Sequence, residues 1–245
     1  MFARRSPALV SCHVERPLDD RAWAAFSTLQ TRTPGGFRVA ALMRPPDRAA
    51  GEDEELWLER ARAAAARAPF GLHTHWGSLE QARPTDGDPA ERVGREVAWL
   101  REHGLAPKFF CGGGWYMDAG VAQTVAELEL TDCSATAFRP SYLPVEAPRL
   151  ELGMPARFRL PSGALLPELP ATHSLGMLAR AVLGPLPTFV HAYFHDTDLL
   201  VPRRRLPLEA ALRLLGLRRR PTDLDDAVSA TLEGPERPFA DAARP

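Results

Sequence analysis

The sequence predicts a single-domain α/β protein built as an irregular (β/α)7 barrel. Short apolar runs alternate with helical segments along most of the 245 residues, and repeated units of this kind favour a parallel sheet or barrel. Seven strand candidates in a chain of this length favour a closed or nearly closed barrel over an open doubly wound sheet. A hydrophobic content of 45% is enough for a sizeable core.

Each strand candidate is a short run of mostly apolar residues that ends at a proline, a glycine or a polar cluster. In chain order the candidates are residues 8–15, 37–46, 70–76, 108–116, 130–138, 164–174 and 187–195. Helices are predicted at 19–30, 53–68, between Asp88 and Gly104, after Asp118, and at 175–184, 207–217 and 222–232. Prolines dominate residues 139–165, where a hairpin is expected near Pro161-Ser162-Gly163.

The sequence predicts where the barrel ends, and its composition indicates the cellular compartment and the partners of the protein. Residues 1–205 are expected to form the barrel, and residues 206–245 to add helices that pack on it and a frayed tail. A net charge of −1 produces no overall positive potential that would attract nucleic acid or an anionic membrane. The three cysteines lack zinc-ribbon spacing and form a poor disulfide framework. With no membrane-length apolar run and an N-terminus that resembles a first strand more than a signal peptide, a cytoplasmic location is expected. Nothing indicates an oligomeric state.

The distribution of histidine points to a functional site. His103 lies near a helix C-terminus, where positive charge is favourable. The other six histidines fall in or at the ends of predicted strands, namely His13, His73, His75, His173, His191 and His195. Barrel enzymes build their sites where the strands end at the C-terminal face.

Two pairs with the same spacing suggest a metal site. His73 and His75 are two residues apart, so both side chains point to one face of a strand, and imidazoles at that spacing can bind a divalent ion such as zinc. His13 and Glu15 repeat the spacing at the end of the first strand and add candidate ligands or bases. Each pair alone is more typical of a structural role than of a catalytic one. Together, on a β/α scaffold, they favour a site.

Further candidates follow the last strand and the glycine loop. In "HAYFHDTD", Asp196 can fix the tautomer of His195 and raise its pKa, as a general acid requires; alternatively, Asp196-Thr197-Asp198 merely caps a turn. The loop "CGGGWY" offers Trp115 and Tyr116 for stacking on a sugar face. Trp76 and His191 complete the residues expected to contact substrate.

Taken in order, "VSCHVE", "GLHTHW", "TDCSATAF", "LLPELPATHS" and "YFHDTDL" resemble the motifs of the polysaccharide deacetylase family, the carbohydrate esterases with NodB homology. The resemblance covers roughly residues 8–205. It implies an irregular, often seven-stranded barrel and metal-assisted hydrolysis of an N-acetyl or other acyl group on a sugar or small acylated amine. It also implies an ion held by Glu15, His73 and His75, a base at His13 or Glu15, and a general acid at His195.

Two departures from the family pattern leave alternatives open. The third motif normally reads Arg-x-Pro, whereas this chain has Cys111 and glycines there, and His13 stands at the position of the family's base. Either the catalytic groups are rearranged, or the protein binds a glycan without turnover. A PHP-type or amidohydrolase-type metal hydrolase is a third alternative, although in those families His-x-His typically ends the first strand.

Overall fold

The computed structural model describes residues 5–77, 79–144, 147–239 and 243–244. Within these ranges the chain forms seven α-helices, one large and mainly parallel sheet of eleven strands, and a separate two-stranded pair. The predicted α/β class is confirmed. No helix in this part of the chain has both the length and the apolar composition needed to cross a membrane.

The secondary structure begins with a strand and alternates strands with helices as far as α4. The helices are α1 (Asp20–Arg32), α2 (Glu54–Ala65), α3 (Pro89–Glu102), α4 (Ala119–Glu127), α5 (Leu175–Ala181), α6 (Pro202–Arg218) and α7 (Leu224–Leu232). The strands are β1 (Pro7–Val14), β2 (Ala40–Met43), β3 (Phe70–Thr74), β4 (Phe109–Gly112), β5 (Thr131–Asp132), β6 (Arg149–Leu150), β7 (Ala156–Arg159), β8 (Leu165–Glu168), β9 (His173–Ser174), β10 (Val190–His195), β11 (Arg220–Pro221), β12 (Glu236–Pro238) and β13 (Ala243–Arg244).

The large sheet has the order β12-β7-β8-β5-β4-β3-β2-β1-β10-β9, and β11 pairs with the start of β1. All neighbours from β8 to β9 along this path are parallel. Residues 165–174, which contain β8 and β9, have partners on both sides. Glu168 pairs with Asp132 of β5, whereas His173 pairs with Ala192 of β10. The segment 165–174 therefore connects the two ends of the parallel series.

Each predicted strand region contains an observed strand, although β5 keeps only two residues of the predicted 130–138. The expected hairpin is also confirmed: β7 and β8 are antiparallel, and they are joined by the turn at residues 160–164. The predicted start of a helix at residue 207 is wrong. Helix α6 begins at Pro202, which fills the first turn without losing a hydrogen bond, and it continues through Pro207. The division expected between residues 205 and 206 falls within this helix.

The core lies on both faces of the sheet because side chains alternate along each strand. Ala8, Val10 and Cys12 of β1 pack toward the helices, whereas Leu9 belongs to a second cluster on the opposite face. We call this second group the inner cluster; among its buried members are Leu42, Phe109, Cys111, Trp115, Cys133, Leu169 and Tyr193. By the same alternation, Ser11 and His13 lie on the face of Leu9. Residues 240–242 and 245 of the expected tail lie outside the described residues.

Candidate metal centre

The C-terminal ends of three strands bring the predicted site residues together. His13 lies near the end of β1 and Glu15 follows that strand directly. His73 lies in β3, and His75 follows it. His195 is the last residue of β10, where it pairs in register with His13. Parallel strands thus gather residues that are up to 182 positions apart in sequence.

Glu15 is the centre of this cluster. Its Oε1 atom lies 3.8 Å from Nε2 of His73, 3.4 Å from Nε2 of His75 and 3.5 Å from Nε2 of His195. These separations exceed ordinary N–H···O hydrogen-bond lengths. One carboxylate oxygen therefore faces three imidazole nitrogens without close contact to any of them.

Hydrogen bonds at the other ring nitrogen fix the tautomers of two of these histidines. Nδ1 of His73 donates to the carbonyl oxygen of Cys111, and Nδ1 of His75 donates to that of Leu79, each at 3.1 Å. In a neutral imidazole, Nε2 then carries a lone pair rather than a proton. Nε2 of His75 is buried and has no hydrogen-bond partner. Two lone pairs thus point toward the Glu15 carboxylate, an arrangement that a cation would stabilise.

Burial and mutual charge keep these groups in their ligand forms. Burial lowers the pKa of His73 to about 4, despite the opposing effect of Glu15, so its ring is neutral at neutral pH. Burial also lowers the pKa of His13, and the neighbouring His73 and His195 lower it further. For Glu15, burial alone would raise the pKa, but the surrounding histidines lower it overall. Neutral imidazole and ionised carboxylate are the forms that bind metal ions.

The cluster fits a metal ion in composition and in spacing. One atom from each of Glu15, His73 and His75 can be chosen so that all three lie within 4.8 Å of one another. With metal–nitrogen and metal–oxygen bonds of about 2.0–2.1 Å, the edge of a tetrahedral site measures about 3.4 Å. Glu15 and His75 already have this separation. Backbone carbonyls that orient ligating histidines are also typical of metal sites.

The carboxylate that faces Nδ1 of His195 is that of Asp198, and not that of Asp196, which the sequence had suggested for this role. Oδ2 of Asp198 lies 3.8 Å from Nδ1 of His195 and accepts the backbone N–H of His195, while Arg204 donates to Oδ1. Burial alone would lower the pKa of His195, but the nearby carboxylates of Asp198 and Glu15 raise it overall. His195 therefore holds a proton more readily than a free imidazole.

Asp196 has a different place from the one predicted for it. It is fully buried, and its side chain accepts the backbone N–H groups of Arg16 and Thr197. Burial raises the pKa of Asp196 to about 6. Its bond to Arg16 ties the end of β10 to the residue that follows Glu15. The structure thus gives Asp196 a contact that positions Glu15.

A pocket of about 500 Å³ opens above this cluster. One part of its lining is the polar cluster of His13, Glu15, His73 and His195. Apolar and aromatic wall residues are Trp115, Tyr142, Leu143 and Pro144. The remaining lining residues are Glu80, Gln81, Ala82, Arg83, Gly112 and Gly114. Sequence reasoning missed the wall residues of 80–83 and 142–144, because these segments lie outside any periodic element. Only the proline content of 139–165 marked the second segment as irregular.

Among the predicted substrate residues, Trp115 alone lines this pocket. Trp76 is buried and packs edge-on against Tyr116, and both rings lie outside the lining. His191 is also buried, where its Nε2 shares a hydrogen bond with Oγ of Ser11. Trp115 itself has a φ of 60°, which is costly for a residue with a side chain. This strained backbone holds the Trp115 ring 5.3 Å from that of His13.

No model of a protein family matches the chain. No curated protein matches it in sequence either. Among solved structures, the chain is similar to a 4-alpha-glucanotransferase from Thermococcus litoralis, with a TM-score of 0.63 and 11% identity. The similarity covers 96% of this chain, which spans 42% of the length of that enzyme. At this identity the similarity concerns the fold alone.

Two further solved structures are similar to the chain at lower TM-scores. A family 4 carbohydrate esterase from Streptomyces lividans, in complex with acetate, has a TM-score of 0.46 and 12% identity, with 87% of each chain covered. A polysaccharide deacetylase from Bacillus cereus has a TM-score of 0.45 and 12% identity, again with 87% of each chain covered.

Proposed function

We propose that this protein is a metal-dependent hydrolase that removes an N-acetyl or other acyl group from a sugar or glycan precursor. The observation that carries the proposal is the convergence of the Nε2 atoms of His73 and His75 on Oε1 of Glu15, with both tautomers fixed by backbone carbonyls. The order of the sequence motifs supports the same family of reactions.

The proposal includes a closed (β/α)7 barrel. The seven parallel strands are β1 to β5, β10 and the segment 165–174, which bonds to β5 and β10 and so supplies the closure. In this arrangement the inner cluster fills the barrel, and the metal centre lies at its C-terminal end, where barrel enzymes carry their sites. The chain from residue 206 onward contributes the rest of α6, α7 and two strands that add to the sheet.

The ligands would be Glu15, His73 and His75, with zinc or a similar divalent ion. Such an ion lowers the pKa of water and polarises an acyl oxygen when it is bound. His13, neutral and at the floor of the pocket, or Glu15 would accept the proton of the attacking water. His195, with its proton held by Asp198, would donate it to the departing amine. Trp115 and Tyr142 would contact the sugar ring.

The direct test is metal analysis of the purified protein together with an assay on N-acetylated sugars. We expect about one divalent ion per chain, loss of the ion from His73→Ala, and loss of all turnover in both His73→Ala and His75→Ala. His103→Ala is the matched control, because His103 contacts Trp99 on α3 and is remote from Glu15. The control should retain both the ion and the activity.

A different result would contradict the proposal. Wild-type protein that is folded and free of metal, yet deacetylates its substrate, would exclude the metal centre as the catalytic group. Turnover of phosphate esters instead of acylated sugars would favour the PHP-type or amidohydrolase-type alternative.

A glycan-binding protein without turnover is the second candidate. The observation that favours it is His13, whose low pKa makes it a weak base at the position of the family's carboxylate. This candidate predicts saturable binding of acylated sugars, measured by calorimetry, with no acetate released. Trp115→Ala should then weaken binding, while His195→Gln should leave it unchanged.

A further inference from the structure

A second set of atoms that could bind a metal ion lies next to the set formed by Glu15, His73 and His75. Sγ of Cys111 is 3.6 Å from Nε2 of His13, and the ring of His13 stacks on that of His73 at 4.4 Å between centroids. One ligand atom from each of His13, His73 and Cys111 can be chosen so that the three lie within 4.8 Å of one another. All three side chains are buried, and Cys111 belongs to the inner cluster.

The spacing of this set also fits a metal ion. With bonds of about 2.3 Å to sulfur and 2.0–2.1 Å to nitrogen, the sulfur–nitrogen edge of a tetrahedral site measures about 3.5 Å. Cys111 and His13 have nearly this separation without any movement. A site with two imidazoles and one thiolate favours thiophilic ions. A site with two imidazoles and one carboxylate does not.

We propose that His13, His73 and Cys111 form an inner position for a thiophilic divalent ion, alternative to the outer position at Glu15, His73 and His75. The Cys111 thiol loses its proton to solvent as the sulfur–metal bond forms, and no oxidation or reduction takes place. Burial and the nearby carboxylates oppose this ionisation in the metal-free protein, but a coordinating cation deprotonates a thiol outright.

The two positions compete because they share His73. Nδ1 of His73 donates to the carbonyl oxygen of Cys111, which leaves Nε2 as the atom available to either ion. An ion at the inner position therefore removes one ligand from the outer position. Insofar as the proposed function holds, thiophilic ions in excess would inhibit the hydrolase through this exchange.

Cobalt(II) is the probe that reports on sulfur ligation. Metal-free wild-type protein titrated with Co²⁺ should develop a thiolate-to-cobalt charge-transfer band in the near ultraviolet. Cys111→Ser should lose this band. Cys133→Ser is the matched control, since it alters another buried thiol of the inner cluster, and it should retain the band. His75→Ala should also retain it, because His75 belongs to the outer position alone.

The possible results separate this inference from the proposed function. Bound Co²⁺ without the band in wild type, or a band that persists in Cys111→Ser, overturns the inner position but leaves the proposed function standing. A band, together with no deacetylation whichever divalent ion is supplied, supports the inner position and contradicts the proposed function. Failure of wild type to bind Co²⁺ overturns both. If Cys111→Ser does not fold, a band that survives in both Cys12→Ser and Cys133→Ser assigns the sulfur, since the chain has three cysteines.

Discussion

The carboxylates around His195, including that of Asp198, raise its pKa and so favour its protonated form. His195 faces Glu15 with Nε2 and Asp198 with Nδ1, and Arg204 holds the Asp198 carboxylate in place. Two negative charges on either side favour the protonated ring. A proton held at this position, in the lining of the pocket, suits donation to a leaving group.

His195→Gln should therefore lower kcat for deacetylation by about 10²–10⁴-fold, the usual contribution of a general acid. The bound metal should remain, since the outer ligands are unchanged. Steady-state kinetics together with metal analysis of the same sample measure both effects. Unchanged turnover in His195→Gln would remove His195 from the mechanism.

Asp198→Asn tests the partner of this acid separately. Because the neutral amide no longer stabilises the imidazolium, the pKa of His195 should be lower than in wild type. As pH rises, His195 should then lose its proton, and the enzyme its activity, at a lower pH than in wild type. The pH profile of kcat measures the shift. A profile identical to that of wild type would leave Asp198 as a cap of the turn after β10.

At the scale of elements, the pairing of β5 with β8 contains two fully buried carboxyl groups. Asp132 accepts hydrogen bonds from Ser134, and Glu168 accepts one from the backbone N–H of Ala135. Their remaining oxygens have no other hydrogen-bond partner and face each other across the strands. Burial and the adjacent charge of Asp132 raise the pKa of Glu168 well above its usual value. The pair thus keeps a proton to a higher pH than an ordinary carboxyl group does.

This pair should make the protein less stable as pH rises. Unfolded Glu168 releases its proton above about pH 4.3, whereas the folded protein keeps it. The free energy of unfolding should therefore fall by about 1.4 kcal/mol per pH unit from this group, until the pKa of the folded state is reached. Glu168→Gln should flatten this slope, because an amide replaces the carboxylic acid without titrating. Urea unfolding between pH 5 and pH 8 measures the difference, and parallel slopes would contradict it.

The glycine loop after β4 is constrained by the protein's own backbone. A Cβ atom at Gly113 would lie 2.5 Å from the carbonyl oxygen of Ala82 and 2.6 Å from that of Thr74. At Gly113 the loop thus packs between the end of β3 and the pocket wall, while Gly112 and Gly114 line the pocket itself.

Gly113→Ala should accordingly destabilise the fold by about 1–3 kcal/mol, because neither carbonyl can move freely. Gly94→Ala in α3 is the control, since its added Cβ meets open space and alanine favours a helix. Thermal unfolding of the two variants should show a lower Tm for Gly113→Ala alone. An unchanged Tm would mean that the loop shifts without cost.

The limits of sequence reasoning follow from these elements. Apolar runs and caps such as Asp88 and Asp118 are local signals, so strands and helix starts could be predicted. The residues His73, His75, Glu15 and His195 could be grouped because they lie at strand ends. In contrast, the Asp198 contact, the burial of His191 and the pocket walls depend on how distant segments pack, which no local pattern records.

For the whole molecule, metal binding should be linked to stability. An ion that binds the folded chain but not the unfolded chain adds about 2.7 kcal/mol to the free energy of unfolding when its free concentration is roughly 100 times its Kd. Wild type should therefore show a higher Tm in the presence of the ion, and the increase should vanish in His73→Ala, which removes a ligand from both positions. Differential scanning calorimetry with and without a chelator measures this change. An equal increase in His73→Ala would place the ion elsewhere.

The pairing of β1 with β10 has a consequence for how the protein is made. Ala8 lies beside Val190, so the first strand of the chain finds this neighbour only after almost two hundred residues have been synthesised. Contacts of such long sequence separation form late and slow the folding of a domain. Glu15 and His75 can meet while the chain is still growing, but His195 joins them only when β10 docks. Completion of the site would therefore coincide with completion of the fold, and a truncated chain that lacks β10 would lack His195 and have an incomplete site.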